Sequence, residues 1–353
     1  MGEIDTFAAY YNARVKAMKS ELLPQSQVEE LLDRDDLDFM TSQLLTSPYK
    51  VDMAESLTLY SGTDAIEDAV SRNMVKTFQK LLGIAQGEFK ELVNTFLARW
   101  DLVAVKALLR NRHHGLDLET GRHSLVPGPK MSMALVSSFA AKDSMEDLVA
   151  ALASWNGELC GCLRGQLAAY RDTRSIAVLE TALDNAYFVG NVRKLGQSDD
   201  PDRQFLRKAL QMEIDRINLR TLFQLREAEV STEEILSRML PMGTLPPRLL
   251  KDMGDAGAPE RAIELLGPTM YARLVEGMYS YMQTGRFSPF ERMFERLVMG
   301  WLIRHARAQA FGVSVLMTYA WLKYNEVMNL RMIALGEARH LPRGRVREEI
   351  FYA

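Results

Sequence analysis

The stretch Glu326–Leu335, "EVMNLRMIAL", repeats a phrase met earlier in the same chain: "DRINLRTLFQ" begins at Asp215, 111 residues before it. A fainter copy, "DLVAVKALLR", begins at Asp101, a further 114 residues back. On a helix, Asp215, Asn218, Leu219 and Leu222 share one face, as do Glu326, Asn329, Leu330 and Ile333. The first copy has Ala104 where the later ones have Asn218 and Asn329. Catalytic motifs usually occur once in a chain, so three occurrences at even spacing point to architecture.

Other phrases recur in step. "IEDAVSRNM" from Ile66, "LETALDNAY" from Leu179 and "FERMFERLV" from Phe290 carry Glu67, Glu180 and Glu291, which lie 34, 35 and 35 residues ahead of the three acids. Asp64, three before Glu67, and the box Ser288-Pro289-Phe290-Glu291 read as helix starts. The middle copy lacks such a box, and its helix is expected to begin earlier, near Asp172 or Thr173. After each acidic helix comes an apolar residue, a proline and an apolar residue four further on: Val126-Pro127 with Met131, Leu245-Pro246 with Leu250, and Leu341-Pro342 with Val346. Leu23-Pro24 with Val28 adds a fourth copy near the N-terminus. The later half of the unit therefore appears four times and the earlier half three. Two complete modules, 61–172 and 173–285, and one split between 286–353 and 1–60 account for that count. Closing the split module would join the chain ends in a ring-like, pseudo-threefold body.

Helical periodicity dominates between these landmarks, as in "RQFLRKALQMEIDRINLRTLFQL". Proline and glycine gather in "LPMGTLPPR", "SLVPGPK" and "GQSDDPD", and no run sustains period-two alternation. The class is all-α. With 353 residues, 47% of them apolar, the chain can build several cores. A net charge of −3 from 43 basic and 46 acidic side chains implies no polyanion partner, nucleic acid included. Cys160 and Cys162 have no second pair to complete a metal site and read as buried reduced thiols of a cytoplasmic protein. The longest uncharged run, Ala308–Leu322, falls short of the ~20 residues that span a bilayer and reads as a helix buried all round.

Three segments together, "YYNARVKAMKSELL", "MEIDRINLRTLFQL" and "YNEVMNLRMIALGEARHLPRGRVREEI", resemble the C-type subunit family of the archaeal and bacterial V/A-type rotary ATPases, similar to the d-type subunit of eukaryotic V-ATPases. That resemblance implies a funnel-shaped helical body of three similar modules. It also implies a non-catalytic role in the central stalk, coupling the rotating shaft to the membrane ring during proton or sodium transport. The partners would be shaft subunits of D and F type and a proteolipid ring of c/K/L type. The chain would lie in the cytoplasm, peripheral to the membrane through the complex. The rival reading is a helical scaffold of the solenoid kind, although such repeats are shorter and open-ended.

The repeated polar positions Asp101, Asp215, Asn218, Glu326 and Asn329 admit two readings. Either they bond the backbone of the loop before the next helix, or the acids touch the shaft. Scaffold bonds repeat where partner surfaces diverge, which favours the first. "DRDDLDF" from Asp33 could hold a divalent metal only with a second acidic set, and none is found, so Asp35 and Asp36 are read as caps of "LDFMTSQLL". His113, His114 and His123 near Glu119 lack the spacing that chelates zinc on a helix and read as a solvated loop. No phosphate-binding or nucleophile motif appears, so neither cofactor nor nucleotide is expected.

Overall fold

Apolar residues spaced three to four apart can be buried together only along a helix face. The computed structural model describes residues 3–285, 288–308 and 312–352, which are helical with no strand among them. Two compact units emerge: residues 1–180 with 305–353, and residues 181–304. Among the described residues no helix is long and apolar enough to cross a membrane.

The three phrases lie on the long helices Gly87–His113, Pro201–Glu227 and Val313–Ala338. All three helices stop in the same way. Leu116 N donates to Asn111 O at 2.9 Å, Val230 N to Leu225 O at 3.0 Å and Leu341 N to Gly336 O at 2.8 Å. Such a bond, reaching back five residues, requires the residue before the donor to turn left-handed. Gly115, Glu229 and His340 do so, at φ 67°, 55° and 51°.

In the first unit, the helix Val313–Ala338 runs against Gly62–Ile84, which buries Ala65, Ile66, Ala69, Val70 and Met74. Every residue from Val313 to Trp321 is buried, so this part of the uncharged run is enclosed on all sides. Residues 309–311 of that run lie outside the described residues. Trp100 meets Phe96 edge-on at 5.3 Å between ring centres and Tyr324 at 5.7 Å, while the Arg99 guanidinium lies 4.4 Å from the Trp321 ring centre. Each buried aromatic or aliphatic side chain contributes about 1.5–3 kcal/mol. In the second unit, Phe205 stacks on Trp301 at 4.4 Å and 9°, and Tyr271 on Phe294 at 5.6 Å and 19°.

Several helix starts differ from their sequence reading. The helix Gly62–Ile84 begins before Asp64, which sits in its first turn where a negative charge is favourable rather than at its cap. The middle copy starts at Ile176: Thr173 ends the preceding helix, and Arg174 breaks the path at φ 53°. Asp36 caps Leu37–Leu45, accepting from Asp38 N at 2.9 Å and Phe39 N at 3.0 Å, whereas Asp35 closes the helix before it. The capping box at Ser288 rests on a side chain outside the described set.

Candidate functional site

Asp215 is fully buried on the helix Pro201–Glu227, and a carboxylate taken out of water must find donors there. It accepts from Thr244 N at 2.9 Å, Leu245 N at 3.1 Å, the Thr244 hydroxyl and the Tyr271 hydroxyl at 2.7 Å. Burial raises its pKa against the pull of those donors. One turn on, Asn218 clamps a single residue in both directions: its Nδ2 donates to Leu240 O at 2.8 Å and its Oδ1 accepts from Leu240 N at 2.8 Å.

Glu326, 7% exposed, repeats the arrangement with residues from the other end of the chain. It accepts from Leu23 N at 2.5 Å, from the Tyr49 hydroxyl at 2.6 Å and from Lys323 Nζ at 2.9 Å. Leu23 precedes Pro24 as Leu245 precedes Pro246, and Tyr49 follows Leu23 by 26 residues as Tyr271 follows Leu245. Asn329 clamps Phe351, 22 residues on, as Asn218 clamps Leu240, 22 residues on. Lys323, nearly enclosed, also donates to the Tyr49 hydroxyl at 2.8 Å. Burial lowers its pKa, while the Glu326 charge works in the opposite direction.

Asp101 is the spare version. It accepts from Lys130 N at 3.1 Å, 29 residues on, as Asp215 accepts from Thr244 N, 29 residues on. Its Oδ2 has no hydrogen-bond partner among the described residues, and burial pushes its carboxyl up to about 6. The buried Cys160 thiol is raised to about 12, first by burial, then by Cys162 and by Asp101. Ala104, in place of the asparagine, offers no clamp. Glycine lets the backbone close over two of the acids: a Cβ on Gly128 or Gly243 would lie 2.1 Å from Asp101 Oδ1 or Asp215 Oδ1.

The proline phrase is therefore partly realigned. The backbone donors to the three acids come from Lys130, from Thr244 with Leu245, and from Leu23. Leu341-Pro342 instead follows the helix-ending turn at His340 and starts the short helix Arg343–Glu349. Val126-Pro127 likewise precedes the donor Lys130 without supplying it.

The second shared phrase supplies three ion pairs. Arg110 grips Glu180 through two nitrogens, Nη2 at 3.0 Å; Arg216 reaches Glu291 at 2.8 Å, with Arg220 at 3.4 Å; Arg331 Nη2 lies 3.2 Å from Glu67. Arg331 is the most enclosed of these cations and also donates to Ser71 Oγ at 2.9 Å and His123 O at 2.6 Å.

The other candidates disperse. His123 Nδ1 sits 2.5 Å from Glu67 Oε2, whereas His113 turns to the Tyr170 hydroxyl at 3.0 Å, so the histidines do not converge. In "DRDDLDF", Asp33 pairs with Arg347 and Asp35 with Arg343 at 3.0 Å, tying the loop to the helix Arg343–Glu349. Tyr49, Tyr271, Lys323 and the arginines carry no motif of their own in the sequence. Their signals are the equal 26-residue offset, the hydroxyl residue two before each tyrosine (Ser47 and Thr269), and the arginine that follows "NL" at both Arg220 and Arg331.

The family model described as "ATP synthase (C/AC39) subunit" matches residues 11–349. The chain is similar to the C-type subunit of the A-type ATP synthase of Methanococcoides burtonii, 28% identical over 97% of this chain and 93% of that protein. It is similar also to the same subunit from Methanosarcina acetivorans, at 29% over 97% and 92%. The corresponding V-type ATP synthase protein of Deinococcus radiodurans is 24% identical over 97% of this chain and 90% of its own.

Proposed function

Because the chain belongs to the ATP synthase (C/AC39) subunit family, we propose that it is the non-catalytic coupling subunit of the central stalk. It joins shaft subunits of D and F type to the membrane proteolipid ring, so that rotation at one end becomes proton or sodium movement at the other. Four segments, 1–60, 61–172, 173–285 and 286–353, build three similar modules in a pseudo-threefold, funnel-shaped body. The chain contributes no active site and takes no nucleotide. It reaches the membrane only through its complex.

The observation that carries this reading is the order of the arginine–glutamate pairs. Arg110 of 61–172 holds Glu180 of 173–285, and Arg216 and Arg220 of that segment hold Glu291 of 286–353. Arg331 of 286–353 then holds Glu67 of 61–172. Each pair joins an arginine of one segment to the glutamate of another. Leu23 and Tyr49 complete the site of Glu326, as the split module requires. A part that transmits torque must not shear, and these repeated ion pairs, together with the buried polar locks, support that role.

The test mixes the purified chain with its cognate D- and F-type subunits and follows co-elution on gel filtration as salt rises. A complex at low salt that weakens moderately at high salt is expected, since a near-neutral chain can match a partner only through local charge. Absence of any complex, with both partners folded, would favour an unrelated scaffold. Calorimetric binding of ATP at micromolar affinity would contradict the non-catalytic assignment.

A further inference from the structure

The surroundings of Glu326 differ from those of the other two acids at two positions. Asn325 immediately precedes Glu326, where Ile214 precedes Asp215 and Trp100 precedes Asp101. Tyr352 follows Glu326 by 26 residues, where Pro241 and Pro127 follow Asp215 and Asp101 by 26. The loop beside them differs as well. Gly243, two residues before Leu245, brings its backbone so close that a Cβ would lie 2.1 Å from Asp215 Oδ1 and 3.3 Å from Ile214 Cγ2. Glu21, two before Leu23, carries a Cβ and needs more room. A cavity of about 140 Å³ remains there, lined by Leu23, Val28, Leu322, Phe351 and the two polar side chains Asn325 and Tyr352.

Asn325 is only 7% exposed, and its Nδ2 has no hydrogen-bond partner among the described residues. The Tyr352 hydroxyl is buried and likewise unpartnered among them. Burial, and then the Glu29 charge, raises the Tyr352 phenol, so it keeps its proton. A donor shut away from water without an acceptor is a net cost. Ile214, fully buried beside Asp215, does without such a donor. The other polar groups at the cavity are engaged, Glu326 with Leu23 N, Tyr49 and Lys323, and Asn329 with the backbone of Phe351.

The spare groups define a ligand. Asn325 Nδ2 needs an acceptor, and the Tyr352 oxygen can receive a donor. An anion would meet the carboxylates of Glu326 and, near Tyr352, Glu29. A cation would meet the Asn325 amide hydrogens. An uncharged amide answers both groups: its C=O accepts from Asn325, its N–H donates to Tyr352, and short apolar substituents rest on Leu23, Val28 and Leu322. Asparagines of this chain already recognise that group, since Asn218 and Asn329 hold the peptide atoms of Leu240 and Phe351. We propose that the cavity binds a neutral amide, either a peptide group presented by a partner polypeptide or a small free amide. It lies within the unit formed by residues 1–180 and 305–353 and is independent of the stalk assignment.

Saturation-transfer NMR on the full chain tests this with N-methylacetamide as the probe. A Kd on the order of 10 mM is expected for a ligand of so few atoms. Asn325→Ile should abolish binding while keeping or raising the urea midpoint, since it removes an unsatisfied donor. Tyr352→Phe removes one hydroxyl and should weaken binding about threefold to tenfold, and it decides the matter should the isoleucine variant not fold. Acetate and methylammonium should not compete. N-acetyl-leucine N-methylamide separates the two sources. Binding at least as tight as that of N-methylacetamide assigns the site to a polypeptide partner; weaker or no binding assigns it to a small free amide. No saturable binding of N-methylacetamide below about 100 mM, or undiminished binding in both variants, would overturn the proposal. Competition by either ion would overturn it too.

Discussion

Tyr49 donates its phenolic hydrogen to Glu326 at 2.6 Å across 277 residues of sequence, and no water reaches the ring. Tyr49→Phe keeps the shape and removes the donor, leaving Glu326 with Leu23 N and Lys323. Loss of a buried hydrogen bond to a charged group is expected to cost about 1.5–3 kcal/mol in urea unfolding. Tyr271→Phe should cost a similar amount through Asp215. A change below about 0.5 kcal/mol in both variants would show that these hydroxyls are dispensable.

The asparagine clamps give a sharper comparison. Asn329→Asp preserves the acceptor for Phe351 N but can no longer donate to Phe351 O. It also places a second carboxylate one turn from Glu326. Asn329→Asp is expected to destabilise more than Asn329→Ala, itself about 1–3 kcal/mol, as read by thermal unfolding near neutral pH. The reverse order would mean that the amide's donor is not what holds Phe351.

Gly243→Ala puts a methyl carbon 2.1 Å from Asp215 Oδ1, and Gly128→Ala does the same at Asp101. Neither carboxylate has open space to retreat into, because each is fully buried. Both variants are expected to lose at least about 1–3 kcal/mol, seen as a lower urea midpoint. Gly344→Ala, with open space around its Cβ, is the control and should change little.

Asp101 makes a pH-dependent contribution whose sign is opposite to the usual carboxylate case. Its folded carboxyl is pushed up to about 6 by burial, whereas an unfolded aspartate titrates near ~3.9. Between those values the folded state holds a proton that the unfolded state has lost. The stability attached to this proton is therefore fully present at low pH and is lost as pH rises towards 6. Asp101→Asn should gain most over the parent above pH 6, with the gain shrinking as pH falls. Asp215→Asn should lose at every pH, since an amide would set its own N–H groups against donors from Thr244, Leu245 and Tyr271. A pH-independent difference for Asp101→Asn, tracked by urea unfolding, would contradict the buried-acid account.

How far the sequence reaches is clear from particular residues. The all-helical class is legible in apolar spacing and in proline and glycine punctuation, because both act locally. Asp215 and Asn218 are legible because their phrase returns at Glu326 and Asn329 with both polar types intact. Their partners are not. Tyr49 and Tyr271 share only a leucine five before and a hydroxyl residue two before, beside their equal offset from Leu23 and Leu245, too little to single them out in the sequence. Leu341-Pro342 matches Leu245-Pro246 as a dipeptide, yet which backbone N–H reaches the acid is decided by the turn at His340. Arg331 lies inside the quoted phrase, but its partner Glu67 is 264 residues away, beyond any local pattern.

The bond from Leu23 N to Glu326 joins positions 303 residues apart, and this separation has a consequence for how the chain is made. A ribosome adding about 5–20 residues per second delivers the glutamate roughly 15–60 s after the leucine. Throughout that interval Tyr49, Leu31 and the other side chains that end up sealed beneath the last long helix have no lid. Residues 181–304 can meanwhile assemble from neighbours already synthesised. The segment around Leu23 is thus made long before it can settle, and newborn chains should recruit holding chaperones there until the helix that carries Glu326 emerges.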